Sequence, residues 1–215
     1  MKLLNTVAIS VLALASSMAN ATYTSSVVKH PSGLSILNSS VVQFSNYDGT
    51  PASFTGTISK GFLGGLSAAT EGTISFTYLG KESWNSIKLN FNGMSIWDSS
   101  RDGDPSLFGK TLSGSVSKGL VDFSFSDLTN GVTFKNGRLG SMMFSQDITT
   151  SKFGKFDFLL GFNDKGVPGD LKDADFDDFA IGVKFTPAIP EPSTYLLMGM
   201  GLVGLMALKR KQRAV

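Results

Sequence analysis

The chain has 215 residues, with 19 Lys and Arg against 17 Asp and Glu, a single histidine and no cysteine. That inventory excludes disulfides, thiol nucleophiles and zinc sites built from several His or Cys ligands. With 24 Gly, 17 Phe and 17% charged residues, it describes a β-rich domain better than a helical one.

The first element is an export signal. Lys2 precedes an apolar stretch over residues 3–15 and small residues over 16–21, the three regions of a secretory signal peptide. Cleavage is expected after Ala19-Asn20-Ala21, with Ala19 and Ala21 as the small residues at the cut, so residues 1–21 are the signal and the mature chain starts near Thr22. A membrane span here is disfavoured, because the apolar run is short and contains Asn5, Thr6 and Ser10.

Beyond Thr22 the apolar period becomes two. Residues 53–58, 73–78, 86–91 and 121–125 alternate apolar with polar side chains, as half-buried strands do. Further strands are expected at 41–44, 131–134, 141–144, 156–160 and 179–185. Asn92-Gly93, Asn130-Gly131 and Asn136-Gly137 favour tight hairpins, and Asp102-Gly103-Asp104-Pro105 favours a loop. The glycine-broken stretch 61–69 reads as a loop or an edge. Short strands with regular punctuation, no helical segment and no internal repeat predict an all-β fold, a single antiparallel β-sandwich of jelly-roll type over residues 22–189.

Candidate chemistry in this body is sparse. His30, just before Pro31, is expected to be exposed near the mature N-terminus, and any Ser-His-Asp system would rest on it alone. Glu71 and Glu82 are the body's two glutamates, and a glycosidase would need a carboxylate pair at a set separation. The body is therefore expected not to be an enzyme. Trp84 and Trp97 sit beside polar residues at strand ends and are candidate ligand-binding residues; with Tyr47 and Tyr78 they could form a stacking platform for sugars.

Acidic residues offer a second route to binding. Asp173, Asp175 and Asp177 alternate, so an extended segment would turn them to one side, and oxygen clusters of this kind suit Ca²⁺. An EF-hand starting at Asp173 is excluded, because its sixth position is Asp178 and its twelfth Lys184. The competing reading has solvated carboxylates, with Asp178 tying a turn before the last strand. A second acidic loop, Asp98 to Asp104, contains Arg101, which can neutralise its neighbours.

The chain closes with Pro190-Glu191-Pro192, Ser193-Thr194, an apolar run over 195–208 and the basic end Lys209-Arg210-Lys211-Gln212-Arg213. The uncharged stretch 193–208 would form a helix of roughly 24 Å, enough to cross a bilayer with some local thinning. The cations after it would stay in the cytoplasm, leaving the body outside the inner membrane. This tail resembles the PEP-CTERM sorting signal of Gram-negative bacteria. The resemblance implies a sorting motif at Pro190, Glu191 and Pro192 within residues 190–213, and an exosortase as partner. It further implies a membrane-anchored precursor released to the cell surface or medium, on a route associated with exopolysaccharide. The tail is also similar to segments labelled ice-binding protein C-terminal domain, but the body lacks flat threonine-rich repeats and ice binding is not expected. Gly161-Phe162-Asn163-Asp164 and the aspartate-rich stretch 173–178 resemble a motif frequent in such exported proteins.

Five cations, Lys2, Lys209, Arg210, Lys211 and Arg213, and one acid, Glu191, belong to the two ends, so the body keeps 14 basic and 16 acidic residues. The positive excess is a property of the targeting segments, and nucleic acid is not an expected partner. The residues thus predict an exported protein of the cell envelope or extracellular matrix; the alternative is a calcium- or carbohydrate-binding β-sandwich module.

Overall fold

A computed structural model describes residues 20–43, 60–138, 140–164 and 176–188, together with 198, 200–202 and 209. In chain order the strands are β1 (Asn20–Lys29), β2 (Leu34–Gln43), β3 (Lys60–Ala68), β4 (Gly72–Gly80), β5 (Ile87–Phe91), β6 (Met94–Asp98) and β7 (Thr111–Val116). They continue with β8 (Gly119–Leu120), β9 (Phe123–Asp127), β10 (Val132–Lys135), β11 (Met142–Thr150), β12 (Gly154–Phe162) and β13 (Phe179–Pro187). No helix occurs among the described residues from Asn20 to Ala188.

Every pairing is antiparallel. The larger sheet runs β1-β2-β3-β11-β12-β13-β4-β7, with β8 also pairing β3, and the smaller runs β10-β9-β5-β6. Among the described residues the two sheets hold nine and four strands, an antiparallel all-β arrangement as expected. Two consecutive meanders, β1 to β3 and β11 to β13, account for most of the larger sheet.

The strands follow the side-chain pattern. In β5, Ile87, Leu89 and Phe91 are buried while Lys88 and Asn90 are half-buried, and β9 repeats this with Phe123 and Phe125 inward. Asn92 (φ 48°) and Gly93 (φ 73°) close the β5–β6 hairpin between the paired Phe91 and Met94; two positive φ angles are what a type I′ turn requires. The inward faces of both sheets meet in one core, where Phe125 stacks on Phe162 at 4.5 Å and Tyr78 lies 4.7 Å from Phe179.

Central strands of the larger sheet are apolar on both faces, and the outer face carries a second cluster of Leu63, Leu79, Met143, Phe156, Leu159 and Phe176. Runs such as Met142-Met143-Phe144 in β11 and Phe158-Leu159-Leu160 in β12 are therefore doubly buried, which abolishes the alternation seen in β5.

Two expectations change. Residues 61–68 are buried and belong to β3, an interior strand between β2 and β11, so the stretch read as a loop or edge is part of the sheet. Its glycines serve close packing: a Cβ at Gly65 would lie 2.9 Å from Leu120 and 3.1 Å from the Gly137 backbone. Strands β1, β6, β7 and β8 were not expected either. The strand expected at 53–58 lies outside the described residues.

The pairing also fixes two poles. Pro187 at the end of β13 pairs with Gly72, and the Ala188 N–H donates to the Glu71 carbonyl at 2.9 Å, so the chain leaves the sandwich at that pole. Gly80 pairs Ala180 at the opposite pole, where the turns after β4, β6 and β9 gather.

Candidate functional site

The opposite pole is organised by buried charge. β4 ends at Gly80 and delivers Lys81, whose Nζ is buried and donates to the backbone carbonyls of Ser83 (2.6 Å) and Ser100. Burial pushes the Lys81 ammonium below its ordinary pKa, and the field of Asp98, Asp178, Asp164 and Asp102 opposes that shift. Asp98, 2% exposed, accepts the Tyr78 hydroxyl at 2.5 Å, the Ser100 N–H and hydroxyl, and the Asp104 N–H. Burial alone would raise the Asp98 carboxyl, but the hydrogen bonds from Ser100, Tyr78 and the backbone outweigh it and hold the pKa below the usual value. Burial, then the bond to Asp98, pushes the Tyr78 phenol far up.

A second carboxylate links the sheets. Asp164 accepts Ser83 Oγ at 2.6 Å and Asn85 Nδ2 at 2.8 Å through Oδ2, and Asn85 also donates to Asp127 at 3.1 Å. The other Asp164 oxygen is buried without a hydrogen-bond partner among the described residues. This frame ties the segment that carries Trp84 to Asp164 after β12 and to Asp127 of β9.

The two tryptophans both stand in solvent. Trp84 is 78% exposed, with the Arg101 guanidinium 4.4 Å above its ring, and Arg101 also pairs with Asp102 at 3.5 Å. Trp97 is 56% exposed and donates its Nε1–H to Ser86 Oγ at 2.7 Å. Trp97 lies on the outward face of the smaller sheet, opposite Lys88, which is in turn opposite Ser126, opposite Thr133. The next row is Ser95, Asn90, Ser124 and Lys135. Asn90 donates to Ser126 Oγ at 3.1 Å, and Ser126 and Thr133 share a hydroxyl contact at 3.1 Å.

Sequence reasoning singled out the tryptophans but missed Lys88, Asn90, Ser126 and Lys135, which only cross-strand register assembles into a surface. The polar phase of each strand was the available signal. Tyr78, once grouped with the tryptophans, is fully buried and takes no part in a platform; Tyr47 lies outside the described residues.

The remaining candidates are placed only in part. Asp173 and Asp175 lie outside the described residues, while Asp177 is buried and its carbonyl accepts the Glu82 N–H at 3.0 Å. Among the described residues no group of three or more His, Asp or Glu side chains is arranged to hold a metal ion. Asp178 accepts the Asp164 N–H at 2.7 Å, as a residue tying a turn before the last strand should. Gly161 is required beneath this turn, since a Cβ there would collide with the Phe176 carbonyl.

Glu71 and Glu82 lie beyond opposite ends of β4, whose nine residues alone span roughly 27 Å, far beyond the ~5–9.5 Å of glycosidase pairs. His30 is not exposed as expected: its side chain is 6% accessible, with the ring centroid 5.2 Å from that of Phe158. Nδ1 faces Ser32 Oγ at 2.8 Å, and Nε2 lies 3.4 Å from Asp147. The composition is that of a hydrolase triad, but the Ser32 N–H also bonds Nδ1 at 3.2 Å, so the contact is a local turn that clasps the β1–β2 and β11–β12 hairpins together. A surface groove of about 320 Å³ at the exit pole, lined by Glu71, Thr73, Val116, Thr186 and Pro187, holds one carboxylate and no histidine.

At the chain ends, Ala21 lies in β1, whereas Ala19 and the sorting residues Pro190, Glu191 and Pro192 are outside the described residues. Residues 198 and 200–202 are helical and exposed, and no helix among the described residues is long and apolar enough to cross a membrane. The expected span at 193–208 lies largely outside them.

Comparison with known families identifies the PEP-CTERM protein-sorting motif at residues 188–211. The motif assigns the chain to the exosortase sorting route, as an exported, membrane-anchored precursor that is then processed. No curated protein and no solved structure matches the chain.

Proposed function

We propose that this chain is a non-catalytic surface or matrix protein, exported through its signal peptide, held at the inner membrane by a helix over 193–208 and released by exosortase near Pro190. One observation carries the reading. Among the described residues, the last backbone hydrogen bond of the sandwich is made by Ala188, where the sorting motif begins. Cleavage at Pro190-Glu191-Pro192 would therefore free the body with every described strand retained. Association with exopolysaccharide belongs to this proposal as the setting in which the body is displayed.

Intact-mass analysis of the protein recovered from a host with an exosortase is the test. The expected species starts near Thr22 and ends near Pro192. An exported species that still carries residues 209–215 would refute the cleavage step.

A further inference from the structure

We propose that the outward face of the β10-β9-β5-β6 sheet, with its tryptophan edge, is a binding site for an acidic polysaccharide. This inference adds a ligand to the display function and stands on separate observations. The first is that each exposed indole has a contact with a neighbouring side chain. Trp97 is held by the bond from Nε1 to Ser86 and Trp84 by the stacked Arg101 guanidinium. A rigid aromatic ring left in water offers an apolar plane to the C–H face of a sugar ring and loses little side-chain entropy on binding.

The second observation is the row beside Trp97. Lys88, Ser126 and Thr133 continue it across the sheet, and with strands about 4.8 Å apart the row spans about 14 Å. Hydroxyls and the Asn90 amide on this face can bond sugar hydroxyls while remaining in their own ladder.

Charge then selects the class of glycan. The body holds more acids than bases, yet the outward positions of these four strands carry Lys88 and Lys135 and no carboxylate. The ion pairs among the described residues involve His30, Arg101 and Lys155, so neither Lys88 nor Lys135 is neutralised by a described carboxylate. A surface that concentrates unpaired cations within a slightly acidic protein is complementary to uronate carboxylates.

Affinity electrophoresis of the full-length chain in neutral detergent, through gels containing polygalacturonate or an uncharged β-glucan, tests the site. Polygalacturonate is expected to retard the protein, and Trp97→Ala and Lys88→Ala are each expected to weaken retardation by about tenfold with an unchanged melting temperature. Trp97→Phe, which keeps a stacking ring, should retain part of it. If Trp97→Ala lowers the melting temperature, Trp84→Ala, at the more exposed ring, supplies the same readout. No retardation by polygalacturonate, stronger retardation by the glucan, or retardation that the tryptophan variants leave intact would overturn the proposal. The measurement uses purified protein, so it stands or falls independently of exosortase cleavage.

Discussion

Asp98 shows how one residue joins both sheets. It sits at the end of β6, yet its partners include Tyr78 of β4, Ser100 and the Asp104 backbone, so its carboxylate fixes the loop below Trp84 as well as the sheet interface. Asp98→Asn removes a charged acceptor from a buried site and is expected to destabilise the fold by about 2–3 kcal/mol at neutral pH, read as a shift in urea midpoint. Because the folded carboxyl titrates below the unfolded one, its stabilisation is complete above about pH 4 and is lost as the pH falls through the folded value. The gap between wild type and Asp98→Asn should therefore narrow in acid; a gap constant from pH 7 to pH 2 would contradict this assignment. Asp147 has the same sign, held down first by Lys155 and then by His30, but its exposure makes it a smaller contributor.

At the scale of elements, β3 depends on a side chain from a distant turn. Asn136 accepts the Leu66 N–H at 2.9 Å and donates to the carbonyls of Leu66 (2.8 Å) and Val121 (2.7 Å), all in a buried setting. It completes pairing along β3 where β11 has ended and β8 is only two residues long. Asn136→Ala would strand the buried Leu66 N–H and take a donor from the Val121 carbonyl, while the Leu66 carbonyl keeps the Val121 N–H, and is expected to cost about 2–4 kcal/mol; chemical denaturation checks it, and a change under about 0.5 kcal/mol would show that water replaces the amide. Gly182 in β13 is a second element-level constraint, since a Cβ there would lie 2.6 Å from the Phe156 ring. Gly182→Ala should lower stability by about 1–3 kcal/mol through overpacking, and Phe156→Leu in the same chain should recover part of the loss. Neither constraint was legible beforehand: Asn136-Gly137 read as a hairpin turn, and the packing partner of a glycine leaves no mark on its own segment.

For the whole molecule the decisive relation is between the sandwich and its tail. A chain ending at Ala188 is expected to melt within about 2 °C of the full-length protein, because every described strand is retained. A chain ending at Lys184 loses the buried Phe185 and the Thr186 and Pro187 pairings with β4, a loss of about 3–5 kcal/mol for the phenylalanine alone. Equal stability of the two truncations, measured by thermal unfolding, would show that the exit pole is not a folded boundary.

The sequence by itself determined what depends on local pattern and composition. Alternation in 73–78 and 86–91 marked strands, Asn92-Gly93 marked a hairpin, and the Pro-Glu-Pro tail marked the sorting route. Tertiary structure decided the rest, for two physical reasons. Strands buried on both faces, β3 and the middle of β11 and β12, lose the period-two signal, so glycine-rich 61–68 passed for a loop. Binding surfaces depend on register across strands: Trp97, Lys88, Ser126 and Thr133 are spread over the 46 positions from Lys88 to Thr133, and only hydrogen-bonded pairing sets them in one row.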